Sequence, residues 1–224
     1  PQPCLQPRAS CKSMTRTVAV IDYGMGNLHS VESAVRQAGA TAVTVTSDRD
    51  AILAADSIIF PGVGAIRDCI DEFRRLGCDE TLRLAISRGT PVLAICVGMQ
   101  SLMTHSEEND GVDCLDWVDG LVTRFPMPHC DTDGKKLKVP HMGWNQVVQT
   151  QSHPLWDGIA DAAYFYFVHS YYLPASDSGA VVGTFDYGVQ GSAAVAKNNV
   201  FATQFHPEKS HDNGIKLLSN FLTW

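Results

Sequence analysis

The chain has 224 residues, of which 45% are hydrophobic and 18% charged, enough to bury one substantial core in a single domain. Its net charge of −7, with lysines and arginines scattered apart from the short Lys135, Lys136 and Lys138 cluster, excludes a general basic field for phosphate backbones, so nucleic acid is not an expected partner. No stretch approaches the roughly 20 apolar residues of a membrane helix, so a membrane is not expected either.

Residues 1–13 contain three prolines and lack the apolar run of a secretory signal, while Met14 precedes a clean strand pattern. Met14 therefore reads as the native start, and 1–13 as a disordered leader or added residues outside the fold. From 17 to 104, short apolar runs at 18–21, 42–45, 57–60 and 91–95 alternate with helical patterns at 28–38, 49–55, 65–76 and 80–88. That alternation predicts an α/β fold, a parallel sheet covered by helices with right-handed crossovers. After Met103 an acidic, irregular stretch at 105–120 gives way to strand-like runs at 121–125, 163–168, 180–185 and 192–196 separated by turns, which predicts an antiparallel or mixed half. A last strand at 200–205 and a helix at 213–224 close the chain.

The seven cysteines, Cys4, Cys11, Cys69, Cys78, Cys96, Cys114 and Cys130, contain no Cys-x-x-Cys pair. They read as reduced cytosolic thiols packed as small hydrophobes, with at most one reactive member. Cys96 is the candidate, because it ends the buried strand at 91–95 and a helix begins directly after it. That is the pattern of a nucleophile elbow, in which a sharp turn lifts the side chain above the sheet edge, Gly98 permits close packing, and the helix N-terminus lowers the thiol pKa. Taken alone, a strand-end cysteine is equally well explained as packing.

A second strand ends at His206, followed by Pro207 and Glu208. In an extended segment positions i and i+2 share a side, so Glu208 is placed to accept from one imidazole nitrogen while the other faces Cys96. A third strand runs into Pro61, Gly62, Val63 and Gly64 before a helix, and such a turn aims backbone amides at an anionic tetrahedral intermediate, each worth about 10²- to 10³-fold in rate. Two other motifs carry less. Gly24 to His29 lacks the third glycine of a dinucleotide fingerprint, so no cofactor is implied. His129, Cys130, Asp131, Asp133 and His141 fit no common zinc spacing and read as a solvated loop rather than a metal site.

The Pro-Gly turn, cysteine elbow and late His-Pro-Glu, in this order and spacing, resemble the triad type of class I glutamine amidotransferases. The detail is similar to the glutaminase subunits of imidazole glycerol phosphate synthases: Ile21 to Leu28, Pro61 to Gly64, Ile95 to Gln100, Pro140 to Asn145, Phe167 to Tyr171 and His206 to Ser210. One departure is Ala94, where that family usually has glycine two residues before the nucleophile, so one methyl group must fit behind the elbow.

The resemblance implies one class I glutamine amidotransferase domain over 14–224, with a mixed, mostly parallel sheet flanked by helices. It implies Cys96, His206 and Glu208 as the catalytic triad, hydrolysing glutamine to glutamate and ammonia. An oxyanion hole is expected from Val97 with Gly62, Val63 or Gly64, and glutamine binding from Gln100, Ser170 and Tyr171, with His169 ranked below them. The ammonia is expected to pass to a (β/α)₈ cyclase subunit, in a cytoplasmic heterodimer that makes imidazole glycerol phosphate and aminoimidazole carboxamide ribonucleotide for histidine biosynthesis. Met142, Trp144, Asn145 and Lys209 are the expected docking contacts. The Gly62-Val63 peptide is expected to turn its carbonyl to the site at rest and its N–H when active, and alanine at Gly62 to disturb folding little. A glutaminase serving another synthase, a γ-glutamyl peptide hydrolase and a non-catalytic binding module are the competing readings.

Overall fold

The computed structural model describes residues 16–176 and 178–224; the readings of residues 1–13 and Met14, and Cys4 and Cys11, lie outside them. The first half alternates as expected: β1 (Thr17–Ile21), α1 (Leu28–Gln37), β2 (Ala42–Thr46), α2 (Arg49–Ala54), β3 (Ser57–Phe60), α3 (Ile66–Arg75), α4 (Cys78–Ser87), β4 (Val92–Ile95) and α5 (Val97–Ser101). Local chemistry sets several boundaries. The Asn27 side chain accepts from the Ser30 amide at the start of α1, and Asp48 accepts from Ala51 at the start of α2, each satisfying an amide that the helix leaves unpaired. In α3 the buried positions are Ile66, Cys69, Ile70 and Phe73, one stripe of a 3.6-residue period.

The second half contains β5 (His105–Ser106), β6 (Val112–Asp113), β7 (Leu121–Arg124), β8 (His141–Gln149), β9 (Ala163–His169), β10 (Tyr171–Tyr172), β11 (Val181–Asp186), β12 (Gln190–Lys197), β13 (Val200–Thr203) and α6 (His211–Thr223). Among the described residues, nine strands form the central sheet in the order β2-β1-β3-β4-β13-β12-β11-β8-β9. The first five are parallel, and β12, β11, β8 and β9 extend the sheet with antiparallel pairing. The sheet is therefore mixed. A second, four-stranded sheet runs β10-β7-β5-β6. Strand β8 is not evident as an apolar run, because its residues alternate around Gly143 and only His141 and Val147 are buried.

The parallel strands are apolar throughout, as strands covered on both faces must be: β3, β4 and β13 are buried at every position. Helix α1 packs against α6, while α2 and α3 each pack against α4. Beneath the antiparallel half lies an aromatic column in which Phe205 sits 4.2 Å from Phe165 and 5.8 Å from Phe167, with Trp156 beyond. No helix among the described residues is long and apolar enough to cross a membrane.

Phe205 has no exposed surface and directly precedes His206. Phe205→Ala is expected to cost about 3–5 kcal/mol of stability through the cavity it leaves, read as a lower urea midpoint at unchanged m-value. A loss under about 1 kcal/mol would mean that the aromatic column closes around the gap.

Candidate active site

The three signature segments converge because β3, β4 and β13 are neighbours in the sheet. All three run parallel, so the residues following each emerge at the same edge, where open α/β sheets place their ligands. They line a cleft of about 490 Å³ together with Asn27, Gln100, Glu108, Pro140, residues 168–171 and Lys209.

Cys96 sits at φ 55°, ψ −110°, between β4 and α5. Positive φ in a non-glycine residue is strained, and such strain persists only where the surroundings enforce it. Here the enforcement is visible on both sides. The Cys96 amide donates to the Thr203 carbonyl at 2.7 Å, and the Gln100 amide donates to the Cys96 carbonyl at 3.1 Å. The elbow also packs directly on the backbone of the 61–64 turn: a Cβ added at Gly98 would lie 2.3 Å from the Phe60 carbonyl oxygen, and one at Gly62 would lie 2.6 Å from the Gly98 nitrogen. Ala94 is fully buried within β4, level with Phe60 and Ala202 on either side, so its methyl group is accommodated with the elbow formed.

The expectation that alanine at Gly62 disturbs folding little does not hold. Gly62 is constrained by space, since an added Cβ meets backbone on the elbow and the Tyr23 hydroxyl at 2.9 Å. Within the turn, the Gly62 carbonyl accepts from the Val97 amide at 3.3 Å. The amide expected to serve an oxyanion is thus engaged by the turn itself.

His206 is 2% exposed, and its Nδ1 pairs with Glu208 Oε1 at 2.7 Å. The backbone that achieves this is not extended, because Pro207–Lys209 is a turn of 3-10 helix. It is fixed from both sides: the His206 amide donates to the Tyr166 carbonyl at 2.9 Å, and Ser210 Oγ donates to the His206 carbonyl while accepting from the Tyr166 amide. His206 Nε2 and Glu208 Oε2 have no hydrogen-bond partner among the described residues. Burial pushes the imidazole pKa down, but the charge of Cys96, with the hydrogen bond and charge of Glu208, outweighs it and raises the value to about 10. At neutral pH that favours the imidazolium form of His206.

Gln100 is buried, and its amide nitrogen donates to the Tyr171 carbonyl and to Gln204 Oε1, both at 2.9 Å. Gln204 was not singled out in the sequence, yet its amide nitrogen lies 3.8 Å from the Cys96 sulfur. The available signal was an amide side chain two positions before His206, next to Thr203 at the end of an apolar run. Ser170 and Tyr171 line the cleft. His169 is a satisfied buried histidine, with Nδ1 on the Tyr171 carbonyl at 2.8 Å and Nε2 on His141 at 3.0 Å; burial holds its pKa down at about 3. Asn27 and Glu108 also reach the cleft, and Glu108 accepts from the Ile66 amide at 3.2 Å.

Two sequence readings need correction. Met142, Trp144 and Lys209 are exposed, and Trp144 stacks on His211 with centroids 5.1 Å apart. Asn145, in contrast, is half-buried on the other face of β8, donating to the Asp186 carbonyl at 2.8 Å. The two-residue period of β8 forbids it from sharing a face with Met142 and Trp144. His129 and His141 are not in a solvated loop: both are 2% exposed, packed with Phe125 and Tyr187. Asp131 lies in a turn, accepting from the Lys135 amide.

Comparison with known proteins identifies the family. The family model described as glutamine amidotransferase class-I matches residues 19–224. The chain is 58% identical over 209 residues to imidazole glycerol phosphate synthase subunit HisH of Pseudomonas putida, covering 93% of this chain and 98% of that protein. It is 57% identical to the corresponding subunit HisH 1 of Pseudomonas aeruginosa, covering 94% and 98%. Among solved structures, the fold is shared with PurLQS from Thermotoga maritima at a TM-score of 0.71 and 18% identity, over 94% of this chain and 99% of that one. The chain is a class I glutamine amidotransferase and belongs, within that family, with the HisH subunits of imidazole glycerol phosphate synthase.

Proposed function

We propose that this chain hydrolyses glutamine through Cys96, His206 and Glu208 and delivers the ammonia to a (β/α)₈ cyclase subunit. The observation that carries this reading is the buried His206-Glu208 pair, at 2.7 Å, with its free Nε2 beside an elbow cysteine held at positive φ. The Cys96 thiolate attacks the side-chain amide carbon of glutamine, forming a tetrahedral oxyanion. His206, protonated at rest, gives its proton to the departing nitrogen as the C–N bond breaks, leaving ammonia and a thioester. The neutral imidazole then takes a proton from water, which attacks the thioester carbonyl; the C–S bond breaks, releasing glutamate and restoring the thiolate. Glu208 fixes the imidazole tautomer and stabilises its cationic form. Gln204 and Gln100 fix the cleft around the sulfur, while Ser170 and Tyr171 bind the amino acid end of the substrate.

The oxyanion requires donors, and the Val97 N–H is engaged by the Gly62 carbonyl. The subunit therefore rests in a state of low activity. Turning the Gly62-Val63 peptide withdraws that carbonyl, frees Val97 and brings the Val63 N–H into the site. Docking of the cyclase with its acceptor, a phosphoribulosyl formimino aminoimidazole carboxamide ribonucleotide, favours the turned state and keeps ammonia from water. Exposed Met142 and Trp144, with Lys209 at the cleft mouth, form the docking face. The products of the complex are imidazole glycerol phosphate and aminoimidazole carboxamide ribonucleotide, made in the cytoplasm for histidine biosynthesis.

Cys96→Ala is expected to abolish synthesis from glutamine while leaving synthesis from ammonia within about twofold of the parent complex, because the two reactions occupy separate sites. Parallel assays with each nitrogen donor check this, and loss of both in a folded, assembled variant would contradict it.

An electrophilic glutamine analogue at about pH 8 is expected to label Cys96 ahead of Cys69, Cys78 and Cys114. Burial pushes those three thiols up to about 11, 11 and 12, so their thiolates form only as pH climbs towards those values. Peptide mapping that found even labelling would remove Cys96 as the nucleophile.

A further inference from the structure

The turn at 61–64 is tied at both ends by buried side chains that the chemistry above does not use. The Tyr23 hydroxyl donates to the Pro61 carbonyl at 2.8 Å, and the Cys69 thiol donates to the Val63 carbonyl at 3.4 Å. Between these two, the Gly62 carbonyl accepts from the Val97 amide at 3.3 Å. Three successive carbonyls are thus bound to three separate elements: the loop after β1, helix α3 and the elbow.

The three bonds differ in strength. The Tyr23 bond has the optimal length for a hydroxyl donor, whereas 3.3 Å lies beyond the usual range for an amide donor. Tyr23 is also rigidly placed, its ring 5.2 Å from Phe73 and 5.8 Å from Phe60, which stack on each other at 4.4 Å. Burial holds both donors protonated, raising the Tyr23 hydroxyl and pushing the Cys69 thiol up to about 11. The central bond is consequently the one that yields first.

We infer that Tyr23 and Cys69 are positioning residues that clamp the two flanking peptides, Pro61-Gly62 and Val63-Gly64, and confine the activating movement to the single peptide between them. This rests on the proposed Gly62-Val63 switch and adds what makes it productive. A lone peptide turns through compensating changes in ψ of Gly62 and φ of Val63, and the missing Cβ at Gly62 leaves the first of these open. With its neighbours fixed, the turned N–H has one destination, the oxyanion position. With either clamp removed, the turn relaxes as a whole and the N–H loses its aim.

The test uses the full chain in complex with its cyclase, saturated with acceptor nucleotide. Tyr23→Phe removes one hydroxyl and keeps the ring; Cys69→Ala removes the thiol alone and carries the test if the first variant does not fold. Each is expected to lower kcat for glutamine about tenfold, part of the about 10²- to 10³-fold that an oxyanion donor supplies. KM for glutamine and the rate of Cys96 alkylation by iodoacetamide are expected to stay within about twofold, since neither depends on that donor. Unchanged kcat in a folded variant overturns the clamp. So does a fall in kcat accompanied by matching losses in KM and alkylation, which marks a merely structural role. The parent chain, assayed free, in complex and in complex with acceptor, separates the two levels: equal turnover in all three removes the switch itself, whereas a rise in the parent with unchanged variants removes only the clamp.

Discussion

The contact between the turn after β3 and the elbow after β4 is the constraint on which the rest of the site depends. Strands β3 and β4 are hydrogen-bonded neighbours, so their continuations leave the sheet side by side, and only glycine at 62 and 98 lets the two backbones pass. The clearances of 2.6 and 2.3 Å to an added Cβ exclude any side chain. This approach holds Cys96 at positive φ, so the cost of strain at one residue, of order 1–3 kcal/mol, is met by packing among the fully buried strands β3, β4 and β13. It also brings the Gly62 carbonyl within reach of the Val97 amide, so one packing contact creates the nucleophile's geometry and suppresses its oxyanion donor.

The opposite wall obeys a different balance. His206 and Glu208 are each only 2% exposed at the side chain, and burying charge is costly unless it is paired. The pair is tolerated because Glu208 and Cys96 act on the imidazole from its two nitrogens, and their combined influence exceeds the desolvation that opposes it. The supporting backbone bonds to Tyr166 and Ser210 join this wall to β9, the outermost strand of the sheet. A disturbance at the exposed β8-β9 edge, where Trp144 lies across from Tyr166, thereby reaches the proposed base as well as the docking face.

Much of this was legible in the chain because the decisive features are local. Alternating apolar runs and helical stripes gave the parallel half, and residues read as ending buried strands (Phe60, Ile95, Phe205) announced where chemistry would emerge. Features that depend on distant contacts were not legible. Gln204 meets the sulfur only because β13 lies beside β4, and Glu108 reaches the cleft only because its carboxylate caps the start of α3, 42 residues earlier in the chain. Asn145 reads as a docking residue beside Trp144 until β8 is recognised as a strand, after which its period of two puts it on the opposite face. His129 and His141 look like loop residues in a polar stretch, yet the aromatic rings of Phe125 and Tyr187 bury them. Gly62 shows the subtler failure: glycine there suggests freedom of angle, while the structure reveals a requirement for space.

If the Gly62 carbonyl and the substrate oxyanion compete for the Val97 N–H, the competition is directly visible in a structure of the assembled complex with acceptor bound and Cys96 trapped by a chloromethyl ketone analogue of glutamine. The expected result is a Val97 amide that has left Gly62 for the oxygen of the adduct, with the Val63 N–H turned towards the same oxygen. A structure in which the Val97-Gly62 bond persists while the adduct oxygen is held by other groups would contradict it.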